Sequence, residues 1–460
     1  MKKNLTKAES LQFLSKYQKF LNIEIPDFFF IDKNNFKLKK NLILKKKKKK
    51  LKKKKILKEC RNCKSKLLTK LFSLGNLASS GKFAKNKKTH IQRGNIILMM
   101  CKKCSLIQLK ESYNKNYLFN KGYGYRTGIN IMMINHMKKL KKDIEEKIEL
   151  KKNDAILDIA SNDATFLNQF NKNLFKVGID PLIIHFKKYY KFIDKPISNF
   201  FSYENVFEKT KKKFKLITAF SVFYDLEDPN SFLNDVKNLL TDDGIFLLEQ
   251  ADLLSIIKLN MFDTLCHEHV AYYSTKIISE MANHNGLQIF DLKKNKTNGG
   301  SIQYFICKKN AKIKINKNKL KNFLKEEKKF KIGKVDCYKK FFLRVNMLKL
   351  ELLKILKNIK NSKKIIHGYG ASTKGNILLQ YYKINNKTVN FIAERNKNKF
   401  NCFTPGSKIK IISEDDSRKQ IPDYYLVLPW HFKDSILIRE RKIINQGTKF
   451  IFPLPNVKII

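Results

Sequence analysis

The chain has 460 residues, enough for several domains that each bury a core, and a hydrophobic content of 43% excludes a chain disordered by composition. Its net charge of +56 invites a nucleic-acid reading. Yet of the 96 basic residues only eight are arginine, the fork that reads phosphates and base edges, so the charge is read as lysine spread over solvated faces.

That reading leaves no specific nucleic-acid partner, only weak electrostatic attraction to polyanions. Met1-Lys2-Lys3 begins basic, but no apolar stretch of signal-peptide length follows, and no run is long enough to span a membrane. Four of the eight cysteines fall into two Cys-x-x-Cys pairs, which suits a reducing, cytoplasmic setting better than a disulfide framework.

Residues 1–56 read as a basic extension. Thr6 to Leu21 carries the capping and spacing of a short amphipathic helix, and Ile25-Pro26-Asp27-Phe28-Phe29-Phe30 reads as a strand entered through proline. The tract from Lys45 to Lys55, broken only by Leu51, repels itself and reads as a solvated linker or frayed helix, with a tether to nucleic acid or an anionic membrane as the alternative. Cys60-Arg61-Asn62-Cys63 and Cys101-Lys102-Lys103-Cys104 follow. Each pair puts two thiolates on one tight turn, and two turns supply the four soft ligands of a tetrahedral Zn²⁺ site. A four-cysteine site keeps no open position, so its expected role is structural, with the intervening residues forming strands of a small ribbon.

Gly122-Tyr123-Gly124-Tyr125-Arg126-Thr127-Gly128-Ile129-Asn130 is either a loop that lays phenols and a guanidinium on a ligand or a turn whose aromatics plug a junction. A helical pattern runs from Ile131 to about Leu150. Asp154 to Ile159 reads as an apolar strand, followed by a small-residue turn through Ala160 and Ala164 and a helix opening at Thr165-Phe166-Leu167. A second strand ends at Asp180, about twenty residues on, where a doubly wound sheet grips ribose hydroxyls. Phe214 to Phe220 and Gly244 to Glu249 read as a third and fourth strand, the last preceded by a Thr241-Asp242-Asp243-Gly244 turn.

Past the fourth strand lies Phe262-Asp263-Thr264-Leu265-Cys266-His267-Glu268-His269-Val270-Ala271-Tyr272-Tyr273. Histidine titrates nearest neutrality, and an adjacent carboxylate can tune it for proton transfer; a buried polar knot is the plain alternative. Ala271 stands where a zincin needs its second histidine, so this is no such motif. Asn298-Gly299-Gly300-Ser301 reads as a turn that lets backbone approach a ligand, or an ordinary hairpin turn. Residues 311 to about 360 read as a helix pair. A last α/β unit opens with Gly368-Tyr369-Gly370-Ala371-Ser372-Thr373-Lys374-Gly375-Asn376, a strand, glycine turn and helix of the kind that cradles phosphate but not a Walker loop.

The two Cys-x-x-Cys pairs, the tyrosine-rich loop, the turn over 158–164, the stretch 262–273, Gly299-Gly300-Ser301 and the Gly368-to-Asn376 turn occur in an order that resembles one family. The chain is similar to the zinc-containing, S-adenosylmethionine (SAM)-dependent C-methyltransferases that act on nucleotide-linked keto-deoxysugars, over roughly residues 57–460. The resemblance implies an α/β fold: a zinc-binding ribbon at 57–112, a class I (Rossmann-like) methyltransferase domain at 113–310, and a C-terminal helical hairpin plus α/β nucleotide-sugar-binding domain at 311–460. It implies His269 as the base that strips a proton beside the sugar ketone, Glu268 orienting it, and Tyr125 near sugar or enolate. SAM is expected at Asp158, Ser161, Asp163, Asp180, Phe220 and Ser221. Substrate is expected at Tyr123, Arg126, His267, Asn298, Gly299, Gly300, Ser301, Tyr369, Lys374 and Asn376, and structural Zn²⁺ at Cys60, Cys63, Cys101 and Cys104. The chain departs from the pattern at Cys266, where many members have tyrosine, at Ala160 and Ala164, where they have glycine, and at Gln303, where arginine is usual. The alternatives are methyl transfer to oxygen or nitrogen of a sugar, or a non-catalytic relative that binds nucleotide sugars or polyanions.

Overall fold

A computed structural model describes residues 55–119, 123 and 125–460. The helix, strand and all but the last lysine of the tract expected in the extension lie outside the described residues. Three sheets, with a two-stranded pairing of Lys55–Ile56 and Glu111–Ser112 beside them, carry the described fold.

The first is a ribbon. Leu68–Ala78 (β1), Arg93–Cys101 (β2) and Ile107–Leu109 (β3) form an antiparallel meander; the first cysteine pair sits on a turn just before β1 and the second on the turn between β2 and β3. Helix α1 (Ile131–Glu145), capped by the Asn130 side chain on the Met132 amide, then leads into the central sheet.

In that sheet, Ala155–Ile159 (β4), Phe175–Ile179 (β5), Lys195–Ile197 (β6), Phe214–Phe220 (β7) and Leu240–Ala251 (β8) alternate with α2 (Tyr203–Thr210) and α3 (Pro229–Leu239). β4 is buried along its whole length, as expected of a parallel strand covered on both faces. A two-residue strand, Ala271–Tyr272 (β9), leaves this sheet and pairs with β3, making the ribbon four-stranded in the order β9-β3-β2-β1. After α4 (Thr275–His284), the hairpin Leu287–Asn295 (β10) and Ser301–Lys308 (β11) returns to the central sheet, whose order is β10-β11-β8-β7-β4-β5-β6 with β11 alone running opposite to the rest.

The helix pair is α5 (Lys317–Lys329) and α6 (Val335–Asn361). Beyond it, Ile366–Tyr369 (β12), α7 (Thr373–Tyr381), Phe391–Glu394 (β13), Lys410–Ser413 (β14), Tyr424–Val427 (β15), Lys449–Phe452 (β16) and Lys458–Ile459 (β17) build a third sheet, ordered β14-β13-β12-β15-β16-β17. Among the described residues, no helix is long and apolar enough to cross a membrane.

Two local expectations are corrected. The helix expected at Thr165 is a single 3₁₀ turn, Leu167–Gln169. Ala160, Asn162 and Ala164 hold φ of 58°, 51° and 57°, and these left-handed residues use up much of the short link to β5. The turn expected at Thr241 to Gly244 is an irregularity inside β8, where the register against β7 shifts between Leu240 and Ile245. There Asp242 and Asp243 reach solvent and pair with Lys308 and Lys215.

A left-handed alanine costs about 1–2 kcal/mol, whereas glycine costs only about 0.5–1 kcal/mol in lost freedom. Ala160→Gly is therefore expected to raise stability by about 0.5–1 kcal/mol, read as a higher melting temperature. A lower one would mean that the Ala160 methyl contributes packing that outweighs the strain.

Candidate active site

The carboxyl ends of β4, β5, β7 and β8 open into one cavity of ≈ 710 Å³, where ligands of open α/β sheets bind. Its walls also come from the tyrosine loop, the His-Glu-His segment and the first turn of the third sheet. The volume falls in the range of small-molecule and cofactor sites.

At the strand ends, Asp158 accepts a hydrogen bond from Thr218 Oγ1 at 2.7 Å, and burial pushes its carboxyl up to about 7. Asp180 is pushed up to about 6 by burial, opposed by the amides of Leu182 (2.7 Å) and Asn162 (3.0 Å) that its oxygens accept. Ser161 Oγ lies 2.7 Å from the Tyr190 hydroxyl, Phe220 packs edge-on against Phe166, and the Ser221 amide donates to the Glu249 carbonyl. These residues line the cavity, but Asp163 does not. Its carboxylate takes the Gly128 amide (3.0 Å) and the Thr165 hydroxyl (2.5 Å) and sits 3.7 Å from Arg126. It fastens the tyrosine loop to the turn. Arg126 also lies over the Tyr189 ring at 4.7 Å.

Tyr123 and Tyr125 both face the cavity. Gly81 lets Tyr123 and Glu268 approach: a Cβ there would stand 3.1 Å from Glu268 Oε1 and 3.6 Å from the Tyr123 ring. Glu268 accepts from Ser80 Oγ at 3.4 Å, while its Oε1 is buried with no hydrogen-bond partner. His269 Nδ1 lies 2.9 Å from the Thr264 carbonyl, and its ring sits 4.0 Å from that of Tyr224. Burial, then the Lys374 ammonium, hold the His269 imidazole down at about 3. Asp225 is pushed well above the carboxylate range by burial and by Glu268. Cys266 also lines the wall, its thiol raised by burial.

From the C-terminal side come Asn298, Tyr369, Lys374 and His431. Lys374 Nζ donates to the Asn298 carbonyl at 2.8 Å. Tyr369 reaches the wall, but its hydroxyl donates to Glu440 at 2.7 Å inside the fold. Several expected substrate residues are not brought to the cavity. His267 Nε2 donates to the Gly94 carbonyl of β2 at 3.2 Å. Asn376 donates to the Ser80 carbonyl at 2.7 Å, and Ser301 to the Thr297 carbonyl at 3.0 Å. The bare α-carbons of Gly299 and Gly300 make room for Met261 and Ser255, which are protein groups. Gln303 donates to Glu249, which also takes His136 and Asn295.

Outside the cavity, the Sγ atoms of Cys60, Cys63, Cys101 and Cys104 lie within 4.8 Å of one another. All four cysteines are free, with Cys60–Cys104 at 3.6 Å and Cys63–Cys101 at 3.5 Å. Zn–S bonds of 2.3 Å in a tetrahedron set sulfurs roughly 3.8 Å apart, so the residues present fit the ion.

Comparison with known proteins divides the chain among three family models. "Putative zinc binding domain" matches residues 60–119, "Methyltransferase domain" residues 133–292, and "C-methyltransferase C-terminal domain" residues 296–455. C-methyltransferase NovU of Streptomyces niveus is 28% identical over 367 residues, covering 79% of this chain and 87% of that one. The chain is a SAM-dependent methyltransferase with the domains of a C-methyltransferase. Its seven-stranded sheet is the methyltransferase sheet, flanked by the ribbon and the C-terminal α/β domain. Among solved structures, a SAM-dependent methyltransferase from Clostridium acetobutylicum covers 37% of this chain and 89% of its own at 13% identity and a TM-score of 0.30. An O-methyltransferase family protein from Burkholderia thailandensis covers 38% and 58% at 13% and 0.29.

Sequence reasoning missed Tyr224, Asp225 and His431 on the methyltransferase's cavity wall. The signal for the first two was present, since they follow β7 directly, at the carboxyl edge where ligands bind. His431 stood in Pro429-Trp430-His431, which reads only as punctuation until the third sheet is folded.

Metal analysis of the purified protein is expected to return one Zn²⁺ per chain, lost in Cys101→Ser. Metal-free protein carrying disulfides at these four positions would overturn the assignment.

Proposed function

We propose that the enzyme transfers a methyl group from SAM to the carbon beside the ketone of a nucleotide-linked keto-deoxysugar. The observation that carries this reading is the tie between His269 Nδ1 and the Thr264 carbonyl. A carbonyl can only accept, so Nδ1 holds the proton and Nε2 keeps a lone pair. The ring lines the same cavity as the strand ends expected to hold cofactor.

In this reading Nε2 takes the proton from the carbon next to the ketone, and the C–H electrons move onto the carbonyl oxygen as an enolate. The carbon then forms its bond to the methyl group while the carbon–sulfur bond breaks. SAM supplies that methyl on a positively charged sulfur, and Asp158, Ser161, Asp180, Phe220 and Ser221 would hold it. Lys374 spends one N–H on Asn298 and keeps two for an anion in the cavity. An anion arriving there also offsets the Lys374 charge, the second cause after burial of the lowered His269, so the ring becomes a stronger base once substrate is seated. Glu268 and Tyr125 line the wall on the sugar side of the proposal.

General-base help contributes about 10²–10⁴ in rate, so His269→Asn is expected to lose that much turnover while calorimetry finds SAM binding intact. Unchanged turnover would remove His269 as the base. With a panel of nucleotide 4-keto sugars deuterated beside the ketone, mass spectrometry of the product should show the deuterium lost. A methylated product that keeps it would move the transfer to oxygen or nitrogen.

The raised Asp158 and Asp180 set a pH dependence. Both carboxyls are protonated below their values of about 7 and about 6, and then lose their attraction for a cationic cofactor. SAM affinity measured by calorimetry should therefore weaken roughly tenfold between pH 8 and pH 5. A flat profile would exclude both as cofactor contacts.

A further inference from the structure

The first cysteine pair encloses an arginine that the proposed chemistry leaves unused. Arg61 sits between Cys60 and Cys63 and is 3% exposed. Its amide donates to Gln108 Oε1 at 3.1 Å, and its Nη1 donates to the Leu109 carbonyl at 3.0 Å. Its Nε stands 3.5 Å from Glu227.

Gln108 and Leu109 belong to β3, the strand against which the His-Glu-His segment is laid. Ala271 pairs with Gln108 and Tyr272 with Ile107, while the Leu109 amide donates to the Val270 carbonyl at 2.8 Å. The Val270 amide in turn donates to the Tyr224 carbonyl at 2.8 Å, and the Tyr224 ring abuts His269. The peptide of Leu109 is thus held by Arg61 through its carbonyl and holds Val270, next to His269, through its amide. Glu227 and Asn230 reach the same knuckle from beyond Tyr224, Asn230 donating to the Asn62 carbonyl at 3.0 Å. Both walls beside His269 are therefore anchored on one turn of the ribbon.

We infer that Arg61 is a positioning residue: it couples the metal-bearing knuckle to the segment that carries His269, so that metal occupancy governs turnover and not cofactor binding. Four thiolates on Zn²⁺ carry a formal charge of −2, which a buried guanidinium complements. Loss of the ion removes that complement and the geometry of the turn from which Arg61 reaches Leu109. Displacement of a reacting group by about 1 Å is enough to cost roughly 10² in rate. The kinetic part rests on the methyl-transfer reading; the structural part does not.

The test compares full-length wild-type protein with Arg61→Met and Arg61→Lys by hydrogen-exchange mass spectrometry, zinc quantification, SAM calorimetry and steady-state kinetics. Arg61→Met should retain one zinc and bind SAM within about twofold of wild type, while residues 264–273 exchange about tenfold faster and β4 (Ala155–Ile159) is unchanged. Its kcat should fall roughly 10–100-fold with little change in KM. Arg61→Lys, which keeps a donor for the Leu109 carbonyl, should recover most of the protection. Chelation of wild-type protein should loosen 264–273 before β4. Wild-type exchange at 264–273 in Arg61→Met, or equal acceleration in β4, would overturn the inference. If Arg61→Met does not fold, Arg61→Lys and the chelated wild type carry the same comparison. Wild-type protein inactive on every sugar would sink the proposed function and leave the exchange result standing.

Discussion

Backbone pairing between Ala271–Tyr272 and Ile107–Gln108 decides to which layer the His-Glu-His segment belongs. By sequence it follows β8 of the methyltransferase sheet; by hydrogen bonding its end is the edge of the ribbon. Side-chain bonds deepen that allegiance, His267 to Gly94 and Ser80 to Glu268. A bend at His267 and Glu268, and not strand alternation, turns His267 into the ribbon and His269 into the cavity, so two histidines two residues apart serve different layers. The cavity thus receives its strand-end carboxylates from one sheet and its imidazole from another.

The turn over 158–164 shows a second constraint. A left-handed backbone costs about 1–2 kcal/mol at each of Ala160 and Ala164, and less at Asn162, a residue type that visits that region. These residues persist because the turn is held from both sides. Asp180 takes the Asn162 amide, the Asn162 side chain takes the Thr127 amide, and Asp163 takes the Gly128 amide. Hydrogen bonds to a charged carboxylate contribute about 1.5–3 kcal/mol each, enough to offset the strain. The tyrosine loop is therefore part of what keeps the turn in shape.

Much of this was legible along the chain. Apolar runs located β4, β5 and β7, and the cysteine spacing located the ribbon, because these signals are local. The helix expected at Thr165 failed because left-handed residues, invisible to periodicity, had consumed its length. Asp180, Lys374 and His269 reach the cavity, whereas His267, Asn376 and Ser301 do not. His267 sits in a bend and Asn376 on the buried side of α7, and which side of such a segment faces a ligand depends on the layer packed against it, which residue spacing does not name. Tyr224 and Asp225 escaped for a related reason: nothing in Phe223-Tyr224-Asp225 marks it until β7 is known to end beside the ribbon.

One apolar core runs through all three layers. Phe72 and Met100 of the ribbon, Met261 and Phe262 beside the central sheet, and Val345, Leu378 and Tyr382 of the C-terminal region belong to a single cluster. Phe72 stacks on Phe342 at 4.5 Å, and Phe262 on Tyr382 at 4.9 Å. Such seams make the parts poor candidates for exchange by recombination. A foreign C-terminal region would confront Phe72 and Phe262 with surfaces not shaped for them, so variation in substrate choice has to arise within an intact trio and not by shuffling modules.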